Sequence, residues 1–200
     1  MFGTFFRFEL RYQLGSPLLW LVAAVFGLLA FGATSSDAIQ VGSAIGNVHR
    51  NAPTVIANLL GAFSLLGLFL IVIFIANGLL RDHELGTAEL FFATPMKKRD
   101  YLFGRFSAGL LACTVIFIGV AIGMIAGQLM PWIDPKRLGP FSLEPFVWSF
   151  GVIVLPNLLF GGALLALLAA LTRSLLKVYV GSLAFFVMWI VAGNLTRVLD

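Results

Sequence analysis

Chemically versatile side chains are scarce in this sequence. Its one cysteine, Cys113, sits inside an apolar run and can close no intrachain disulfide. Only two histidines occur. His49 has no second His, Cys or carboxylate at ligand spacing. His83-Glu84 starts the zinc-peptidase pattern His-Glu-x-x-His, but the position of the second ligand is Thr87. No metal site is expected. No G-x-x-x-x-G-K-[ST] stretch exists to cradle nucleotide phosphates, so ATP hydrolysis by this chain in the P-loop manner is excluded. No nucleophile–base pair stands out either, and a non-enzyme is expected, with no catalytic residue.

Charge is also sparse. Charged residues make up 11% of the chain, where soluble globular domains average about a quarter. None lies deep within an apolar run; the polar residues there are neutral, such as Asn77, Gln128 and Asn157. Ion-coupled transporters need titratable or ion-binding groups at membrane depth, so the absence argues against that class.

What the chain has instead is apolar length. It is 60% hydrophobic, with mean hydropathy +1.01. Five runs, 17–33, 59–80, 106–130, 146–171 and 178–195, approach or exceed the roughly 20 residues that cross a hydrocarbon core. The expected fold is an all-α polytopic membrane protein with five transmembrane helices. The net charge of +4 and pI near 9.6 come from basic residues at the ends of these runs, which read as topology signals rather than a nucleic-acid surface.

Residues 1–15 are amphipathic. At 100° per residue Thr4, Arg7 and Arg11 form one narrow stripe, and Phe2, Phe5, Phe6, Phe8, Leu10 and Tyr12 cover most of the rest. A helix lying in the headgroup plane, aromatics toward the acyl chains, is expected. Gly15-Ser16-Pro17 separates it from the first run, since Pro is tolerated in a helix's first turn. Residues 34–58 and 131–145 read as polar loops, and Arg173 and Lys177 as a very short turn. Pro156 with Asn157 is expected to bend the fourth run. Trp20, Trp132 and Trp148 lie near run ends, where interfacial aromatics belong. Gly119, Gly123 and Gly127 recur every four residues, which allows close helix packing, either within one subunit or across a dimer interface.

Orientation follows from the basic residues. With the N-terminus inside, nine Lys or Arg (Arg7, Arg11, Arg81, Lys97, Lys98, Arg99, Arg105, Arg173, Lys177) face the cytoplasm and four (Arg50, Lys136, Arg137, Arg197) face out. Residue 200 is then extracytoplasmic.

The segment Arg81 to Phe106, between the second and third runs, gathers much of the charge and is expected to be cytoplasmic. Gly86 can end the helix before it, and Thr87 can cap a new one whose first turn holds Glu89 at the positive dipole end. Thr94-Pro95 ends that helix, because the residue before Pro disfavours the α region. Two turns of helix are stable only when docked. Leu90, Phe91 and Phe92 therefore rest on lipid or fit a cleft on a cytoplasmic partner. Lys97, Lys98 and Arg99 read first as a basic anchor.

The order Glu84, Gly86-Thr87, Glu89-Leu90, Ala93-Thr94-Pro95, basic cluster, Leu102, Gly104-Arg105 resembles the cytoplasmic loop of type-2 ABC transporter permeases, close to E-x-G-T-x-E-x-L-x-x-T-P. The resemblance in organisation covers essentially the whole chain. More narrowly, ELRYQLGSPL, GNVHRNAP, LRDHELGTAELFFATPM and MPWIDPKRLGPF are similar to the N-terminal permease portion of bacterial fusions with a zinc aminopeptidase, although no peptidase sequence is present. The resemblance implies the transmembrane subunit of an ABC exporter in a bacterial inner membrane. It implies a coupling helix over 86–94 that docks on a nucleotide-binding ATPase through Glu84, Gly86, Thr87, Glu89, Leu90, Phe91, Thr94 and Pro95. It implies Mg-ATP on that partner and no cofactor here, and pairing with a second permease unit. The family's unit usually has six spans, so residues 1–200 are expected to be one incomplete permease domain. The alternative reading is a non-transporting membrane scaffold or anchor whose loop recruits a partner.

Overall fold

In hydrocarbon every backbone amide must be satisfied internally, and a helix does so within one segment. The computed structural model, which describes residues 1–36, 49–87, 89, 93 and 96–199, is helical throughout its long elements. These are α1 (Phe2–Leu14), α2 (Pro17–Ser35), α3 (Pro53–Glu84), α4 (Lys98–Gln128), α5 (Glu144–Thr172) and α6 (Leu175–Leu199). Helices α2 to α6 are each long and apolar enough to cross a membrane, in agreement with the five runs. The helices extend past several of the apolar runs, because main-chain hydrogen bonding continues where hydropathy ends. Helix α3 starts at Pro53, inside the stretch that composition marks as loop, with Pro in its first turn.

Helix α3 is the centre of the bundle, with 67% of its apolar window buried, whereas α6 at 11% lies at the periphery. Ile71, Val72 and Ile75 of α3 meet Ile116, Phe117 and Val120 of α4 and Leu158 and Leu165 of α5 in one core. Small residues set the approach. A Cβ on Gly67 would collide with the Phe117 ring, and one on Gly161 with Leu68 and Ile71. The tightest seam joins α2 to α4: Gly119 faces Ala23, Gly123 meets the Gly27 carbonyl, and Gly127 meets Thr34 and the Phe31 carbonyl. All three glycines of the four-residue repeat are thus occupied by α2 of the same chain.

Two helices carry a wide i→i+5 turn, Val72–Ala76 in α3 and Phe150–Val154 in α5. The second precedes Pro156, which supplies no N–H and crowds the carbonyl one turn back. Asn157 donates to Ser64 Oγ at 2.7 Å, and Ser64 to the Gly61 carbonyl at 2.7 Å, so polar side chains link α5 to α3 at depth. Helix α5 ends at Arg173, whose φ of 48° places it in the left-handed region. Its N–H bonds the Ala169 carbonyl.

At one end of the bundle the loop after α4 is stitched to the start of α3. Asn51 bonds both the N–H (2.7 Å) and the carbonyl (2.8 Å) of Gly139, and Arg50 N–H donates to the Arg137 carbonyl at 2.9 Å. Trp132 donates to the Ser35 carbonyl at 3.1 Å. Burial, and then the neighbouring Arg137 guanidinium, push the Arg50 pKa below its ordinary value. The other end carries α1 and the roots of the charged segment.

Candidate functional site at the charged end of the bundle

Helix α1 forms over the amphipathic stretch, with its Thr4, Arg7 and Arg11 stripe exposed and Phe2, Phe8 and Tyr12 exposed as well. The two residues it buries are polar, Glu9 and Gln13. One turn apart, they point at the end of α3 and the start of α4 because those helices present arginines and the Phe74 carbonyl there.

Glu9 Oε2 accepts from Arg81 Nη2 at 2.7 Å and lies 3.7 Å from Arg105 Nε. Its Oε1 accepts from Gln13 Nε2 at 3.0 Å. Arg105 also donates to Asp82 Oδ2 at 2.7 Å and to the Gly78 carbonyl at 2.6 Å. Tyr101, one turn before Arg105 on α4, donates to the same Asp82 oxygen at 2.7 Å. Arg81 stacks over the Tyr12 ring at 4.2 Å, and Arg105 over Tyr101 at 4.6 Å. Two carboxylates and two guanidiniums balance, which is the condition for burying them.

Backbone approach makes the junction possible. At Gly104 an added Cβ would lie 2.8 Å from Phe5 Cβ, so α1 crosses α4 there in direct contact. At Gly78 it would lie 3.2 Å from Glu9 Oε1. Gln13 Nε2 donates to the Phe74 carbonyl at 2.9 Å, inside the wide turn of α3, where a Cβ on Gly109 would also meet that carbonyl. Gln13 Oε1 and Arg105 Nε are the atoms of this cluster that are buried without a hydrogen bond.

The junction locks the two helices from which the charged segment hangs. On the α3 side, Gly86 takes φ of 69°, Thr87 N–H bonds the Asp82 carbonyl at 2.9 Å and Gly86 N–H the His83 carbonyl at 3.3 Å. This double closure needs a residue free to adopt positive φ, as Gly is. The Thr87 hydroxyl also turns back, donating to the Asp82 carbonyl at 3.4 Å. Glu84 and Glu89 are exposed, and the Glu89 carbonyl accepts from Ala93 N–H at 2.9 Å, one helical turn. Leu90, Phe91, Thr94 and Pro95 lie outside the described residues. Lys97, Lys98 and Arg99 are exposed at the start of α4, where Asp100 in the first turn offsets their unfavourable position near the dipole's positive end.

The sequence reading passed over Glu9, Gln13, Asp82, Tyr101 and Arg105 as a unit. A signal existed: Glu9 is the one acid in the first 36 residues, with Gln13 four positions on, amid aromatics. Tyr101 and Arg105 repeat that spacing.

Five membrane-length helices, with a charged segment rooted rigidly between the second and third of them, define a permease-type membrane protein. The family model described as ABC-2 family transporter protein matches residues 4–198, and the chain belongs to that family, as the pattern from Glu84 to Arg105 implies. Comparison with curated proteins and with solved structures gives no match.

Proposed function

We propose that this chain is the transmembrane subunit, or part of one, of an ATP-driven exporter, and that residues 86–94 form the element that docks on a separate nucleotide-binding ATPase. The observation that carries the reading is the locked junction. Residues 85–97 connect α3 to α4, and Asp82–Arg105, Tyr101–Asp82 and Arg105–Gly78 bind those helices together immediately behind it. A push on the segment therefore moves both helices and α1 as one body instead of being lost in a flexible loop. Membership of the transporter family supports the same reading, since type-2 permeases generally work with an ATPase subunit.

In this reading Mg-ATP is held by the partner, and this chain supplies no catalytic group. Two permease units pair around the substrate path in a bacterial inner membrane. The excess of Lys and Arg at the charged end sets that end in the cytoplasm, with residue 200 on the opposite side. The deciding experiment is co-purification in detergent with the chain as bait, followed by ATPase assay. The native segment is expected to recover a P-loop ATPase, whereas Leu90→Asp and Phe91→Asp recover several-fold less with unchanged membrane insertion. Equal recovery by both variants would overturn the docking role.

A further inference from the structure

We propose that the cleft between α1, the start of α2 and α3 is a binding site for one glycerophospholipid of the leaflet on the charged side, with its phosphate at Arg81 and its ester region at Asn77. The cleft is open on one side and has a volume of about 100 Å³. One wall is the face of α3 that carries Arg81, Asn77 and Ile73, four residues apart, and the other walls include Glu9, Tyr12, Gln13, Ser16 and Leu18. A helix rises about 1.5 Å per residue, so over these eight residues the wall grades from guanidinium through carboxamide to aliphatic within about 12 Å. A phospholipid grades the same way, from phosphate through ester to acyl chain.

Asn77 is the informative residue. It is exposed, it lies in the most hydropathic span of the chain, and its side chain makes no hydrogen bond among the described residues. A carboxamide at the edge of the hydrocarbon without a partner is unfavourable. Ester carbonyls at that depth accept from its Nδ2 and remove the penalty. Arg81 keeps donors to spare: Glu9 engages Nη2 at 2.7 Å and Nη1 only at 3.4 Å, and the side chain is 19% exposed. A guanidinium carries five N–H groups in a fork suited to phosphate. Helix α2 begins beside the cleft at Pro17, so its positive dipole end adds to the attraction. Because Glu9 already offsets Arg81, a free anion gains less here than a molecule that also fills the apolar part of the cleft.

The test uses the full chain, purified in detergent and stripped of lipid, in native mass spectrometry with dioleoyl-phosphatidylglycerol as the probe. One lipid per chain is expected to survive activation that removes the rest, and dioleoylglycerol, which lacks the phosphate, is expected not to. Asn77→Leu removes no internal bond and is expected to weaken retention about tenfold, equivalent to about 1.4 kcal/mol, with the lipid-free unfolding midpoint not lowered, because the unpartnered carboxamide is gone. Arg81→Gln is expected to weaken it at least as much, but it also disturbs Glu9, so Asn77→Leu decides. Wild-type retention by Asn77→Leu overturns the proposal. So does competition by inorganic phosphate at the affinity of the lipid, which would make the cleft an anion site only.

Discussion

Helix α4 makes two unlike contacts along its length. Toward Gln128 it meets α2 through Gly119, Gly123 and Gly127, with backbone against backbone and no charge. Toward Lys98 it meets α1 and α3 through Arg105, Tyr101 and the acids they hold. Between helices in lipid there is no hydrophobic drive, so attraction comes from dispersion at close range, and small residues allow that range. At the charged end water lies within reach of the chain, and charges can be gathered if every one is paired. The glycine seam is tolerant in direction but intolerant of volume. The charged junction tolerates little in either sense, because Arg105 serves specific oxygens on two other helices and Arg81 both oxygens of Glu9.

The comparison is broken most severely at Arg105. Arg105→Ala leaves Asp82 and Glu9 buried with one guanidinium between them and frees the Gly78 carbonyl, and a loss of about 3–5 kcal/mol is expected in reversible unfolding from mixed micelles. Arg105→Lys keeps the charge but not the fork, so its loss should fall between that of alanine and wild type. The seam is broken by volume. Gly123→Ala drives a methyl into the Gly27 backbone and should destabilise by about 1–3 kcal/mol, lowering the yield of an engineered α2–α4 disulfide cross-link. Gly32→Ala, which meets nothing within 4 Å, should stay within about 0.5 kcal/mol of wild type and shows that the seam, not helix propensity, sets the effect.

Smaller changes sharpen the contrast. Gln13→Ala removes one bond to the Phe74 carbonyl and one to Glu9, with an expected loss of about 1 kcal/mol by the same unfolding measurement. Ser64→Ala takes away the partner of Asn157 in the apolar middle, and about 0.6 kcal/mol is expected, the average for interhelical hydrogen bonds in a membrane. If the two losses came out in reverse order, the junction would not be the stricter of the two environments.

Much of this was readable in advance. The five long helices follow from hydropathy, and the end of α3 at Gly86 follows from the residue that positive φ favours. The close packing expected of the glycine repeat could be read, but not its partner, because four-residue spacing serves an intrachain seam and a dimer equally. Helix α1 could be read as an amphipathic helix, but not what its buried side meets: the surface beneath it presents Arg81, Arg105 and the Phe74 carbonyl, to which Glu9 and Gln13 are the complementary groups.

By itself the sequence determined that this protein is a helical membrane protein of the type-2 ABC permease kind, because span length, hydropathy and the Glu84 to Arg105 pattern are local properties of the chain. Which helix lies against which, that α2 fills the glycine seam, and that residues from positions 9, 13, 78, 81, 82, 101 and 105 close into one balanced cluster were decided only by the tertiary structure. Charges separated by scores of residues acquire partners only after the helices pack, and no periodicity along one helix encodes the surface of another.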